Sequence, residues 1–418
     1  MRGNGRTGRW WRYTGTITLV LVLIASACGG SETTGSSPTT PVSTSTTTTQ
    51  APTTGTDPTT TQAPTTTTSE SPPPAPHGQG TALGELLSLL PDTADSRREV
   101  VIENLALVRT QLGLPASVVG VDDDTLISLA QALDGTAIGF GNDSDLVDVS
   151  GWRTSFGFSP LEAFQVARAG VEDPIVVFNS VGHDADEIAA ALAADPVWGP
   201  LLSAETLGDT TVYSWGDATE THFDRTGPGR PLGRAGTLAV TNDSVVRSYD
   251  PALLLAAVGE DPNLDRFAPF ADIVQALDEA GAYAATLSAD PVLFDPADSG
   301  LGEDEARALV DSSPLLGDYE ALGFGGLIVD GQIRGALMVF AFADDAAAEE
   351  GAAALREVLG NGDSVYGGGA WVDRLGEPTV STRGRLAIVE LPEADRGYGS
   401  LLNAWFRREN LFWAAVQN

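Results

Sequence analysis
The chain has 418 residues, with 57 acidic against 23 basic residues and a net charge of −34. Every basic residue is an arginine, which excludes a P-loop lysine, a lysine Schiff base and a Ser-x-x-Lys pair. So negative a chain repels phosphate backbones and anionic headgroups, and nucleic acid is not an expected partner.

The first element is a leader. Arg2, Arg6, Arg9 and Arg12 precede an apolar run over Ile17–Ile24, followed by the small residues Ala25, Ser26 and Ala27. Positive start, apolar core and small residues form the order of a secretory signal. The run is shorter than the roughly 20 apolar residues that span a bilayer. Cys28, the only cysteine, follows at once, with Gly29 and Gly30 behind it. A disulfide within one chain has no second cysteine to use.

The stretch Ala25–Cys28 with its two glycines resembles the lipobox of bacterial lipoproteins, with Ala25 where that family usually has Leu and Ile24 one step earlier. The resemblance implies cleavage before Cys28 and a diacylglyceryl thioether on its sulfur. One acyl chain, at about 0.8 kcal/mol per buried methylene, holds a protein only marginally, and two anchor it stably.

Residues 28–80 then form a tether. Thr, Ser, Pro, Gly and Ala dominate it, with an imperfect TTxxxPTT repeat and no apolar periodicity to offset the entropy of folding. Such a Thr/Pro stalk is open to O-glycosylation. Its length is on the order of 40 Å as a flexible coil and ~150 Å as polyproline II. Anchor, stalk and lysine-free Ala/Gly/Arg/Asp richness together resemble an actinobacterial cell-surface lipoprotein. The resemblance implies a protein held by lipid on the outer face of the cytoplasmic membrane, its domain extended toward the cell wall.

A globular region begins near Thr81. Segments 81–170, 171–300 and 301–418 are distinguishable, or 81–418 forms one integrated domain. The first segment reads as helical. Apolar residues at Val101, Leu105 and Val108 have helical spacing, with start signals at Pro91 to Asp95 and a stop over Gly113–Pro115. A second helix is expected over Asp124–Leu133, capped by Asp123 or Asp124, and a third over Ser159–Gly170 with Pro160 in its first turn.

Strand signals follow. Asp173–Val181 is a short β-branched run, a helix ends at Pro196, and Thr211–Asp217 alternates. A hairpin is marked by Asn242-Asp243, with helices at Pro251–Val258 and Phe267–Ala280 and a strand in Ala282–Phe294. A second hairpin turns at Asp330-Gly331, an Ala-rich helix stops at Gly360, and a third hairpin turns near Arg383-Gly384. The expected fold is α+β: a helical N-terminal part, then two antiparallel β-hairpin/helix units, Asp173–Phe294 and Tyr319–Pro392, with helices packed on sheet. The tail reads as a terminal helix. Its Trp405, Phe406, Phe412 and Trp413 either dock on the core or form a partner-binding face.

The chemical motifs are sparse. G-x-S-x-G is absent, and His77, His183 and His222 lack H-E-x-x-H spacing. Asp122, Asp123 and Asp124 in GVDDDT, and Asp143, Asp145 and Asp148 in GNDSDLVDVSG, could together offer oxygens to calcium. Neither run has EF-hand order, since Leu146 falls where the loop glycine belongs, and caps and turns explain both. The glycine runs Gly323–Leu327 and Gly397–Ser400 are not dinucleotide fingerprints. No catalytic residue, cofactor or other metal ligand is assigned. The expectation is a non-enzymatic binding or scaffolding role toward an envelope protein or glycan. A carboxylate-based envelope hydrolase and a solute-binding lipoprotein remain as alternatives.

Overall fold
The structure is a computed structural model. It describes residues 83–118, 120–133, 148–179, 185–208, 210–216, 221–241, 243–259, 262–290, 308, 316–362, 370–392, 398–399 and 401. All of them belong to one compact unit, Pro73–Asn418.

The strands are β1 (Val100–Asn104), β2 (Gln165–Ala169), β3 (Ile175–Asn179), β4 (Leu202–Leu207), β5 (Thr210–Trp215), β6 (Gly236–Val240), β7 (Ser244–Ser248), β8 (Ala284–Ser288), β9 (Tyr319–Val329), β10 (Gln332–Phe342), β11 (Thr379–Arg383) and β12 (Leu386–Leu391). The helices are α1 (Leu83–Leu87), α2 (Leu105–Gln111), α3 (Asp123–Leu133), α4 (Val149–Phe156), α5 (Ala185–Ala194), α6 (Pro251–Val258), α7 (Ala268–Glu279), α8 (Asp345–Asn361) and α9 (Trp371–Leu375). The strands form one sheet in the order β11-β12-β10-β9-β8-β1-β2-β3-β7-β6-β5-β4, with every pairing antiparallel. This is the α+β architecture expected.

The sheet has a core on each face. One gathers Val108, Leu126, Trp152, Ile188 and Leu355 from α2, α3, α4, α5 and α8 over Phe178, Trp215, Phe324 and Phe340. The other gathers Leu86, Leu254, Phe270 and Ile273 from α1, α6 and α7 over Ile102, Val177, Leu287 and Val339. The glycine run in β9 lets α7 lie close. A Cβ at Gly323 would stand 2.3 Å from Ile273, and one at Gly325 2.5 Å from Leu277.

The strand order holds one arrangement twice. In the first half it runs β1-β2-β3-β7-β6, and in the second β8-β9-β10-β12-β11. Each half has a lone strand, a hairpin, a helix, and a second hairpin whose later strand returns beside the first hairpin. The helices α5 and α8 follow equivalent hairpins and pack into the same core, while α1 and α7 precede equivalent strands and share the opposite core. The halves meet where β1 pairs β8, from Val100 against Leu287 to Glu103 against Ala284. Among the described residues, the hairpin β4–β5 interrupts the first half alone and extends its edge.

Two expected helices are corrected. Residues 100–104 form a strand, and helix begins only at Leu105. The spacing of Val101, Leu105 and Val108 straddles that junction. All five residues of β1 are buried between two cores, which favours β-branched Val100, Val101 and Ile102 in a central strand. Ser159–Gly170 is likewise a short 3-10 turn, Pro160–Glu162, followed by β2. Ser159 and Glu162 close a capping box around that single turn, and the chain then pairs with β1 and β3. The strand β4 had no counterpart in the sequence reading.

Candidate functional site
Three clusters of polar groups away from solvent stand out among the described residues. The first lies at the seam between the halves. Glu103 on β1 and Thr286 on β8 are buried, and the Tyr398 hydroxyl bonds to Thr286 Oγ1. Burial pushes the Tyr283 phenol well up, and the neighbouring Glu103 charge adds to it. Burial likewise raises Tyr398, against the lowering effect of Thr286 and with a further rise from Glu103. Both phenols therefore stay protonated, and that of Tyr398 is hydrogen-bonded to Thr286. Glu99, just before β1, is paired to Arg168 at 2.9 Å. Glu103 lies four residues further along extended chain, about 13 Å at the usual strand rise. That exceeds the roughly 5–9.5 Å between the acids of glycoside hydrolases.

The second cluster joins α3, α4 and the turn before β2. Arg153 binds Asp123 at 2.5 Å and the buried Glu162 at 2.5 Å, and donates to the Val121 carbonyl at 2.7 Å. Burial pulls its pKa down, but the Glu162 and Asp123 carboxylates outweigh this, and the net direction is up. Nearby Arg109 is fully buried and donates to the carbonyls of Ala116 and Leu161, both at 2.8 Å. Desolvation lowers its pKa to about 10.

The third cluster pins the connection between β5 and β6. Arg230 is 3% exposed and bonds Asp195 at 2.5 Å. Its guanidinium carbon lies 4.7 Å from the Phe156 ring centre, 5.4 Å from Trp215 and 5.8 Å from Trp198. Arg230 Nε and Nη2 have no hydrogen-bond partner, and these aromatic faces take their place. Asp195 also accepts from the amides of Val197 and Trp198, at 2.9 and 3.0 Å. Burial raises its pKa, but those amides and Arg230 outweigh it, and the carboxyl sits below the usual range. Arg247 on β7 donates to the Gly229 carbonyl and, at 3.0 Å, to Tyr249 Oη. Arg234 binds Asp173 at 3.0 Å and lies 4.2 Å from the Tyr249 ring. These contacts can hold a loop in one shape.

The residues singled out in the sequence fall as follows. Asp122 takes the Thr125 amide at 2.9 Å in the turn that opens α3, Asp123 binds Arg153, and Asp148 caps α4 by accepting from Gly151. Among the described residues no three His, Cys, Asp or Glu side chains gather in metal-ligating geometry. His222 packs edge-on to Trp198, centroids 6.1 Å apart. Cys28, His77, Asp143, Asp145, His183, Trp405, Phe406, Phe412 and Trp413 lie outside the described residues. None of the described helices is long and apolar enough to cross a membrane, which does not bear on a lipid anchor. The buried groups Glu103, Arg230, Arg247 and Tyr398 carry no motif, because their partners are brought in from distant strands and loops. Compared with protein-family models, curated proteins and solved structures, the chain matches none.

Proposed function
We propose that this chain is a lipid-anchored envelope protein whose tether holds an acidic α+β domain away from the membrane, where the domain binds a partner rather than catalysing a reaction. The observation that carries the reading is Cys28. It is the only cysteine among 418 residues, and it stands between a leader-like apolar run and a Thr/Pro tether. The binding role is supported by the state of the described buried ions. Buried Arg230 and the half-buried Arg153 and Arg168 are each committed to carboxylates that fix local structure.

The test is Cys28→Ser in cells fed a labelled palmitate analogue. The parent chain takes up label and partitions into detergent. The variant loses the label and accumulates in the medium or as uncleaved precursor. Unchanged labelling of the variant overturns the anchor. Turnover of a cell-wall glycan, abolished by one carboxylate substitution, overturns the non-enzymatic role.

A further inference from the structure
We infer that β4 is an open sheet edge that takes up an extended, apolar and basic segment of a partner protein as a thirteenth strand. This rests on the binding role proposed above and names a surface for it.

The comparison of the two halves isolates this element. The hairpin β4–β5 is present in the first half, has no counterpart among the described residues of the second, and lies outside the five-strand order they share. Its outer strand is barely buried. Ser203, Ala204, Glu205, Thr206 and Leu207 are exposed, and Leu202 is half-buried. A strand open on both faces and along one edge gains little burial to offset its ordering. Its ladder to β5 still runs without a register shift from Leu202 against Trp215 to Leu207 against Thr210.

Among the described residues, the opposite edge of the sheet is guarded and β4 is not. Edge strands are commonly blunted by proline, basic charge or a covering element. At β11, Arg383 is paired with Glu279, and Arg356 on α8 donates to the Val380 carbonyl at 3.0 Å. The sequence of β4, LSAETL, has no proline and no basic residue, and its one charge is Glu205.

An apolar footing lies where the chain enters β4. Val197 is 40% exposed, Leu201 46%, Phe223 73% and Leu232 55%. Leu201 directly precedes the strand. His222, next to Phe223, packs on Trp198, and its amide donates to the Gly233 carbonyl at 3.2 Å, which brings Leu232 to the same place. The loop carrying Phe223 and Leu232 is the one pinned by Arg230 and Arg247. In strand addition the main chain supplies affinity and the flanking side-chain sites supply selection. Glu205 and the net charge of −34 select basic residues in the added strand, and the same charge opposes a second copy of this chain.

The probe is a nine-residue peptide alternating valine with arginine, added to the full-length protein in detergent. Its controls are a valine/glutamate peptide and an equally charged valine/arginine peptide interrupted by prolines, which cannot pair along an edge. The expected result is at least tenfold slower hydrogen exchange over 202–207 with the first peptide and at least tenfold weaker binding of both controls. Ala204→Pro and Glu205→Pro remove amides on opposite sides of β4, so one of them deletes an outward donor. The variant that keeps the parental melting curve should lose binding. Unchanged exchange over 202–207, equal binding of the proline-bearing peptide, or self-association through β4 in sedimentation velocity would overturn the inference. Loss of lipid labelling at Cys28 would remove the envelope address and leave the exchange result readable. Intact labelling with unchanged exchange would sink this surface alone.

Discussion

The Asp195–Arg230 pair gives a sharp test of how the loop before β6 is held. Both side chains are nearly dry, 8% and 3% exposed, and they meet at 2.5 Å. Asp195→Ala leaves the guanidinium enclosed by Phe156, Trp198 and Trp215 with no anion, and removes the acceptor of the Val197 and Trp198 amides. Removing one partner of a buried ion pair costs about 3–5 kcal/mol. Arg230→Met acts differently. The carboxylate keeps its two amide donors, and a thioether suits a cavity walled by aromatic rings. The expected cost there is about 1–2 kcal/mol, because a desolvation penalty leaves together with the charge. The asymmetry between the variants is then about 2–3 kcal/mol. Urea unfolding followed by tryptophan fluorescence reads it directly, since Trp198 and Trp215 border the site. The midpoint should fall much further for Asp195→Ala, with the slope unchanged. Equal losses for the two variants, or an Asp195→Ala midpoint matching the parent, would refute the reasoning.

Two further outcomes are expected, one from the same carboxylate and one from a helix packing contact. The Asp195 carboxyl is held below its unfolded value, so its contribution is complete above the unfolded carboxylate pKa of about 3.9 and is lost as pH falls through the folded value. Acid titration of the urea midpoint should therefore be flatter for Asp195→Asn than for the parent below about pH 4. Gly351→Ala should lower the melting temperature although alanine favours helix. The new Cβ would stand 2.3 Å from Phe342 Cζ, and overpacking of about 1–3 kcal/mol exceeds a propensity gain of about 1 kcal/mol.

Much of the sheet was legible because its turns are local. Asp330-Gly331 joins β9 to β10 with positive φ at both residues, and Gly384 takes φ +53 between β11 and β12. Those signals need only neighbouring residues. The central strands were not legible for the opposite reason. The sequences VVIEN and QVARA are buried on both faces by elements far away in the chain, so they show no alternation, and Leu105 and Val108 beside β1 supplied a false helical rhythm. β4 escaped because it is exposed on both faces and has no apolar period to read. The caps at Asp122 and Asp148 were readable as turn chemistry. The arginine and tyrosine clusters exist only after strands from both halves or loops far apart have come together.

The position of β1 bears on how the domain carries load. The chain reaches the sheet from its N-terminal side through α1 and enters at β1, which lies sixth from one edge, between β8 and β2. A pull on that side cannot peel an outer strand away one hydrogen bond at a time. It must slide β1 lengthwise against both neighbours at once, past the registers from Val100 against Leu287 and from Val100 against Ala169. Under the tether proposed above, load would enter the domain at a central strand and meet it in shear.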